Sequence, residues 1–527
     1  MKPVKRKLAG SNAATPQVKQ ARMDQPPPLP TEVWELIFQN LNGYYLKMAR
    51  QTCSTWNRII LGSTRLMGKF ILSLTSAHFA NHRKHVRALL ATGGYTQAVF
   101  HMYGIGNHKP RINWLVPLGL TLNTLSFETS GTQLLLTQIL KETPNLKRLD
   151  IIMDNQSTID VVPDFRLEKL EELSIRCFER PAKLIRFCRQ ICPRLTVLKA
   201  FGSPSSEGFE PEVITFVLEV RKTLQELETG LSSAIVDALE AMDDLRLTRA
   251  NLTGSSQHCL RLLRSQPNLV QLDISRGFGD LAVEDLDEIL TLLPHLKTLA
   301  VRFKAYASQP SLSCQTPSNI ETLCIKYGHP HMSSKFRLNF NIHNQPKLRH
   351  LRLSSCNISR RNLRDLAQVT SLTLNRCHLK RLLDLLLLTS LQQIELSSVR
   401  FGAHTVPESV DPSRSRVRSL KVKQMNREVC VALVQLFQGL EQFEAGDGAD
   451  IDEDVLEELS DNSRQLKQLR LNGCSFDTYC PSDTLHLFDA LETYFILCPV
   501  DVFQELEESL EGLCRGVEIR LQGMRDR

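Results

Sequence analysis

The feature that most constrains the fold is a six-residue pattern, LxxLxL, that recurs along most of the chain. Sixteen copies follow one another about 25 residues apart on average. They begin at Leu122, Leu146, Leu170, Leu195, Leu224, Met242, Leu269, Leu296, Ile320, Leu348, Val369, Leu391, Val417, Leu440, Leu466 and Leu491. A fixed period in this range is typical of a solenoid, in which each unit stacks on the next.

Each unit combines a strand with a helix. The LxL end of a copy alternates as a strand does, whereas intervening segments such as LLLTQILKETPN and VEDLDEILTLLPH have helical spacing and end at Pro or Asn. The pattern resembles that of leucine-rich-repeat proteins. The resemblance implies an α/β solenoid over residues 122–527, a curved horseshoe with an inner parallel sheet and outer helices.

Two stretches depart from the regular repeat. MGKFIL from Met67 and YTQAVF from Tyr95 are weaker copies and predict degenerate leading repeats over residues 67–121. Elsewhere the interval between copies lengthens, and we predict surface loops there that either carry binding function or simply vary. These longer connections are 303–319, 328–347 and 401–416.

The first 28 residues differ from the rest of the chain. The net charge of the protein is +7, and residues 1–28 hold six Lys and Arg against one Asp, which leaves +5 in this segment and +2 elsewhere. The segment has no apolar period, so we predict a disordered basic and Pro-rich tail. Its PVKRK run is either a nuclear import signal or a solvated tail. We therefore expect a location in the nucleus, the cytoplasm or both.

Residues 29–66 predict three short helices. Pro30 suits the first helical position, and Val33, Ile37, Phe38 and Leu41 recur at helical spacing. After Asn42-Gly43, YYLKMARQTCSTWNRII continues the same spacing through two more helices. About forty residues bury only a small core, so apolar side chains remain for a partner.

This stretch resembles an F-box, from LPTEV at Leu29 to the Trp at position 56. It departs from the family pattern at Thr31, at Thr52 and at Tyr44-Tyr45. The resemblance implies docking onto the Skp-family adaptor of an SCF-type cullin–RING ubiquitin ligase, and through it contact with the cullin and RING subunits. The residues expected at the adaptor, or in the helix packing that supports the contact, are Leu29, Pro30, Val33, Ile37, Leu41 and Trp56.

The sequence contains no recognisable catalytic or metal-binding motif. No C-x-x-C occurs, and His78, His82 and His85 lack the glutamate of H-E-x-x-H. The acids of DGADIDEDVLEEL do not fit a calcium loop and suit a helix start instead. We predict no catalytic residue, no metal and no cofactor. Three cysteines that follow strands resemble those of the cysteine-containing repeats found beside F-boxes, which implies a structural role: Cys356, Cys377 and Cys474.

The predicted partner-binding surface is the concave face of the repeats. Side chains that flank the inward leucines there are basic between about 296 and 423, and we hypothesise that an acidic or phosphorylated protein segment docks on them; a mixed solvated surface is the alternative. The residues proposed for this role are Arg302, Lys326, Arg352, Lys421, Lys423 and Arg470. Arg246 and His350 belong to the same predicted face, which Asp273, Glu395 and Glu444 interrupt.

Together these features predict a non-catalytic substrate receptor of an SCF-type ubiquitin ligase, with the F-box on the adaptor and the repeats on the protein to be degraded. Three alternatives stay open. One is a repeat scaffold that recruits no ligase, and another is an enzyme that uses a cysteine. The third is a nucleic-acid-binding solenoid, against which the near-neutral body argues. No run of eighteen apolar residues occurs, so we predict no membrane span.

Overall fold

The computed structural model describes most of the chain. The described residues are 29–76, 94–103, 115–130, 133–153, 162–177, 181–202, 206–276, 281–303, 311–314, 316, 318–327, 338–342, 345–405, 415–472, 488, 490–499 and 518–524. The tail 1–28, the three histidines at 78, 82 and 85 and Cys474 lie outside them. The chain divides into two compact units, Met1–Leu149 and Asp150–Arg527. No helix among the described residues is long and apolar enough to cross a membrane.

The first unit opens with the three predicted helices, and a fourth short helix follows them. They are α1 (Thr31–Gln39), α2 (Gly43–Thr52), α3 (Ser54–Gly62) and α4 (Thr64–Met67). The helix start was predicted one residue too early. Pro30 precedes α1, and its carbonyl accepts hydrogen bonds from the backbone N–H groups of Val33 (3.1 Å) and Trp34 (3.2 Å).

Parallel strands follow the helices in the same unit. They are β1 (Ile71–Thr75), β2 (Gln97–Met102) and β3 (Thr124–Thr129), with α5 (Leu115–Gly119) and α6 (Gln133–Lys141) between or after them, and β4 (Arg148–Met153) next along the chain. Ala98 pairs with Leu72 on one side and with Leu125 on the other. The register of the copy at Met67 was therefore predicted wrongly, because Leu72, and not Phe70, lies level with Ala98.

The second unit continues the strand and helix alternation. Its strands are β5 (Glu172–Cys177), β6 (Val197–Phe201), β7 (Glu226–Gly230), β8 (Arg249–Thr253), β9 (Gln271–Ile274), β10 (Thr298–Phe303), β11 (Ser311–Cys314), β12 (Thr322–Tyr327), β13 (Leu338–Ile342), β14 (His350–Ser354), β15 (Cys356–Ile358), β16 (Ser371–Asn375), β17 (His378–Arg381), β18 (Gln393–Ser397), β19 (Arg400–Ala403), β20 (Ser419–Lys423), β21 (Gln442–Ala445), β22 (Gln468–Asn472), β23 (Thr493–Pro499) and β24 (Glu518–Met524). Its helices are α7 (Pro181–Ile191), α8 (Phe209–Val220), α9 (Ser233–Glu240), α10 (Ser256–Ser265), α11 (Asp285–Leu292), α12 (Arg360–Asp365), α13 (Arg427–Leu436), α14 (Glu453–Asn462) and a 3₁₀ helix (Leu382–Leu387).

The main sheet of this unit is parallel and in register from repeat to repeat. Leucines of the LxL segment pair with their equivalents, as Leu198 does with Leu227 and Leu353 does with Ile325. These side chains are buried on the side where the helices lie, since α7 packs against β5 and against α8. The predicted α/β solenoid of stacked leucine-rich repeats is thereby confirmed.

One copy of the pattern was assigned to the wrong residues. The strand expected at Met242 is β8, which starts at Arg249 and places Ala250 level with Leu227. Alanine at the second leucine position concealed the true copy from the pattern. Arg246 therefore precedes the strand, where its guanidinium donates to the carbonyl of Asp243 instead of lining the sheet.

A second sheet is the main departure from the expected architecture. Strands β11, β13, β15, β17 and β19 pair in parallel in that order. Two of the predicted long loops therefore contain strands, β11 within 303–319 and β13 within 328–347, and the third begins inside β19. These strands are three to five residues long, too short for the alternation of apolar residues to stand out in the sequence.

A left-handed residue separates the two strands of these repeats. Ser355, Arg376 and Ser398 have φ of 59°, 52° and 52°. The N–H of Ser355 donates to Asn375 O and that of Arg376 to Ser397 O, each at 2.8 Å. Each turn is therefore hydrogen-bonded to the next repeat, which offsets the cost of this backbone conformation in a residue with a side chain.

Cys356 and Cys377 point inward, as predicted, and Cys474, for which the same prediction was made, lies outside the described residues. Cys356 and Cys377 are fully buried directly after the left-handed residues. The Sγ of Cys377 lies 3.3 Å from the carbonyl oxygen of Leu353 and 3.4 Å from that of Asn375, so its single S–H has two acceptors within reach. A thiol at this position fills the corner between the two sheets and satisfies backbone carbonyls at the end of the strand.

Candidate functional site

An apolar stripe covers the outer side of α1. Leu29, Val33, Leu36 and Ile37 are spaced as neighbours on one helix face, and all four are exposed, Leu36 by 61%. On α2, Met48 is also exposed, by 49%. Large apolar side chains collected on a small domain in this way are typical of a protein-binding surface.

The opposite side of α1 forms the small core of the helices. The rings of Trp34, Phe38 and Trp56 pack together, with centroid distances of 4.9 Å for the two tryptophans and 5.4–5.6 Å for the pairs with Phe38. Leu46 and Ile60 belong to the same buried cluster. Helix α1 therefore carries two apolar faces, and the single face predicted from Val33 to Leu41 was wrong.

The structure separates the six predicted adaptor residues into two groups. Leu29, Pro30, Val33 and Ile37 are exposed, whereas Leu41 and Trp56 pack against the core. Sequence reasoning missed Leu36 and Met48. Leu36 could have been found, because it lies three residues after Val33 and one before Ile37 on the same stripe.

Polar contacts hold the turn between α1 and α2. The side chain of Asn42 accepts a hydrogen bond from the N–H of Tyr45 (3.1 Å) and caps α2. The ammonium of Lys69 donates to the carbonyls of Leu41 (2.6 Å) and Gln39, at the negative end of α1. Gly43 is required here, since a Cβ would lie 2.7 Å from Lys69 O.

The exposed face of the main sheet brings three of the predicted basic residues together. Arg302 of β10 is level with Lys326 of β12, and Arg352 of β14 is level with Cys324. Beside these cations, the paired positions on β10 and β12 hold the short side chains of Ala300 and Cys324. Burial raises the pKa of the Cys324 thiol, and the nearby charges of Lys326 and Arg352 oppose that shift. Lys326 also reaches Ser275 Oγ at 3.2 Å.

Two other predicted residues are already paired. The ammonium of Lys421 lies 2.5 Å from Glu444, and that of Lys423 lies 3.3 Å from Glu395. Arg470 is exposed one strand further, level with Glu444. Arg302 and Arg352 differ, because neither has an ion-pair partner among the described residues. Within the described part of the chain, the cations predicted for the concave face are therefore unpaired on β10–β14 and at Arg470, and paired at Lys421 and Lys423.

Several of the described thiols lie in the core. Cys188 and Cys192 of the α7 region and Cys356 are buried. Burial raises the pKa of the Cys188 and Cys192 thiols, and a hydrogen bond with Cys377 together with burial raises the pKa of Cys356. Such thiols stay protonated at neutral pH. No group of three or more His, Cys, Asp or Glu within the described ranges is placed to hold a metal ion.

Comparison with known proteins identifies the helical segment. Residues 28–66 match the F-box domain. No curated protein matches the chain in sequence. Among solved structures, the mouse RP105/MD-1 complex matches with a TM-score of 0.31 and 13% identity over 76% of this chain and 64% of that one. The Toll–Spatzle complex, described for Drosophila, matches at 0.32 and 11% over 85% and 68%, and the circular leucine-rich-repeat protein CroV588 at 0.28 and 12% over 82% and 80%.

Proposed function

We propose that this chain, an F-box domain followed by leucine-rich repeats, is the substrate-recognition subunit of an SCF-type ubiquitin ligase. In this role the F-box binds the Skp-family adaptor and, through it, the cullin and RING subunits. The repeats bind the protein to be ubiquitinated and degraded. We further propose that it works in the nucleus, the cytoplasm or both, on the strength of the basic run PVKRK.

The observation that carries the proposal is the exposed apolar stripe on α1. F-box domains bind Skp-type adaptors, and this domain leaves Leu29, Val33, Leu36 and Ile37 uncovered within the described part of the chain. Each buried side chain of this size contributes roughly 1.5–3 kcal/mol. A stripe of four is therefore enough to anchor a partner helix or groove.

The exposed face of the main sheet is the proposed substrate site. Its unpaired Arg302 and Arg352, with Lys326 between them, suit a carboxylate or phosphate because a guanidinium binds either group bidentately. Lys421 and Lys423 contribute less, since Glu444 and Glu395 already neutralise them. Arg470 extends the same face without such a partner.

Reversing Arg302→Glu and Arg352→Glu is expected to remove partners from the set of proteins that co-purify with the chain. Two carboxylates would then repel an acidic segment at the centre of the face. The control is Arg416→Glu with Arg464→Glu, which changes charge equally at two exposed residues off the sheet. An unchanged set of bound proteins in the first variant would contradict this site.

In this proposal catalysis is by proximity. The chain holds a target lysine near the ubiquitin-charged enzyme, which raises its effective concentration without any chemistry by the receptor itself. The raised pKa values of the buried thiols support a non-catalytic role.

Reconstitution tests the proposed function. The purified chain is mixed with adaptor, cullin, RING subunit, activating and conjugating enzymes and ubiquitin, and ubiquitin attached to the chain or its bound partner is measured. We expect ubiquitination for the wild type and much less for Leu36→Asp with Ile37→Asp, because its binding to the adaptor is weakened. A wild type that receives no ubiquitin and binds no adaptor would favour a repeat scaffold without ligase recruitment.

A further inference from the structure

Positive charge is concentrated in one segment of the second unit. Residues 347–403 contain ten Lys and Arg against three Asp and Glu, a net charge of +7. This equals the net charge of the whole chain, because the +5 of residues 1–28 is cancelled by a net charge of −5 over the residues outside these two segments. The segment corresponds to β14–β19, where the second sheet is best formed.

The second sheet presents part of this charge on its outer side. On β17, Leu379 is buried while Lys380 is exposed, and on β19 Arg400 is exposed. Because Arg400 is level with His378, the ammonium of Lys380 and the guanidinium of Arg400 project from the same side of neighbouring strands. Gly402 adds no side chain next to these cations, and none would fit, since a Cβ there would lie 2.8 Å from Lys380 O.

A buried carboxylate joins the strand to helix α12. Asp384 of the 3₁₀ helix lies 3.0 Å from Arg381 Nη2 and 3.6 Å from Arg360 Nε. One acid thus serves two guanidinium groups, one from β17 and one from α12. The contact joins β17 to helix α12, which carries the exposed Arg361 and Arg364. We call Arg361, Arg364, Lys380 and Arg400 the basic face.

In the repeats on either side of this segment, cations form ion pairs with the neighbouring repeat. Before the segment, Arg264 lies 2.8 Å from Glu288 and Lys297 lies 3.2 Å from Glu321. After it, Arg418 lies 2.9 Å from Glu441. In contrast, no residue of the basic face has an ion-pair partner in the described parts of the chain. Four exposed cations without partners repel one another, which an anionic ligand would relieve.

We propose that the basic face binds an acidic, carboxylate-rich segment of a partner protein. Neighbouring strands lie about 4.8 Å apart and alternate residues on a strand about 6.6 Å apart, which matches the spacing of alternate acidic side chains on an extended peptide. Arginine forks bind carboxylates bidentately. Nucleic acid fits less well, because bases stack on aromatic side chains and Phe401 is the sole Phe, Trp or Tyr in residues 347–403. Phe401 follows Arg400 on β19, so its side chain points to the other face of the strand.

This surface is separate from the proposed substrate site. The basic face belongs to the second sheet and α12, whereas Arg302 and Lys326 belong to the main sheet. The inference also does not depend on the F-box, since it requires only that the repeats fold. A ligase receptor and a scaffold could each use such a surface to bind a second protein.

The test measures binding of a fluorescein-labelled oligoglutamate peptide to the full chain by anisotropy, with single-stranded DNA as a second probe. The variant Arg361→Gln, Arg364→Gln, Lys380→Gln, Arg400→Gln removes the basic face. The matched control Lys147→Gln, Lys222→Gln, Arg416→Gln, Arg464→Gln removes the same charge from exposed positions scattered over the chain. Equal thermal unfolding of all three proteins establishes that each is folded, and the basic tail is common to all.

We expect the basic-face variant to bind the peptide at least about tenfold more weakly than the wild type, and the control to bind within about twofold. Equal losses in both variants would overturn the proposal, because net charge alone would then explain binding. Tighter binding of the DNA than of the peptide, lost in the basic-face variant, would also overturn it and assign the surface to nucleic acid.

Discussion

Trp34→Ala is expected to destabilise the F-box domain by about 3–5 kcal/mol, the usual cost of deleting a buried aromatic side chain. Trp34 contacts both Phe38 and Trp56, so its removal leaves a cavity between α1 and α3. Domains of about forty residues have little stability to lose. We therefore expect α1–α3 to be largely unfolded in this variant.

Hydrogen exchange of the backbone amides of α1–α3 measures this effect apart from the repeats. The matched control is Leu36→Ala, in the same helix but 61% exposed, which we expect to change stability by less than about 0.5 kcal/mol. Equal protection of the two variants would mean that the buried and exposed faces of α1 have been assigned wrongly.

Leu36→Asp with Ile37→Asp is expected to weaken adaptor binding by about 2–4 kcal/mol, roughly 30- to 1000-fold. Both side chains are exposed in the structure, so burying two carboxylates at an apolar interface costs binding free energy and leaves the fold intact. Trp34→Ala is therefore expected to unfold α1–α3, whereas this variant is expected to fold and to bind the adaptor more weakly.

Calorimetric titration with purified adaptor checks this second prediction. The control replaces two leucines that are exposed elsewhere, Leu120→Asp and Leu218→Asp, and should bind as the wild type does. If the control loses affinity as well, or if the α1 variant keeps it, the stripe is not the binding surface.

Much of the fold was predictable because the repeat imposes one strong signal. Strands were found where expected at copies such as those that begin at Leu146 and Leu348. Ala250 broke the pattern, and the strand was displaced by several residues in the prediction. At Met67 a chance match with Phe70 shifted the register by two, although the strand itself exists.

The second sheet was not predictable by the same means. Its strands contain three to five residues, and their register is set by the left-handed turns at Ser355, Arg376 and Ser398. A positive φ in Ser or Arg has no clear sequence signal, unlike one in glycine. Where these short strands stand between copies of the repeat, the sequence pattern therefore predicted only long loops.

The candidate surface was only half predictable for a related reason. Spacing places residues on a face of a helix, but it does not tell which of two apolar faces turns inward. Trp56 fits the family pattern as well as Val33 does, yet the first packs in the core and the second is exposed. Only the packing of α3 against α1 distinguishes them.

The central claim is that helices α1–α3 of this chain bind a ubiquitin-ligase adaptor. Its most direct test is co-purification of the full chain with the Skp-family adaptor, comparing the wild type with Leu29→Ala, Pro30→Ala. We predict a stoichiometric complex for the wild type and its loss in a variant that remains folded. Absence of a complex for the wild type would contradict the claim and leave α1–α3 as a cap on the repeats.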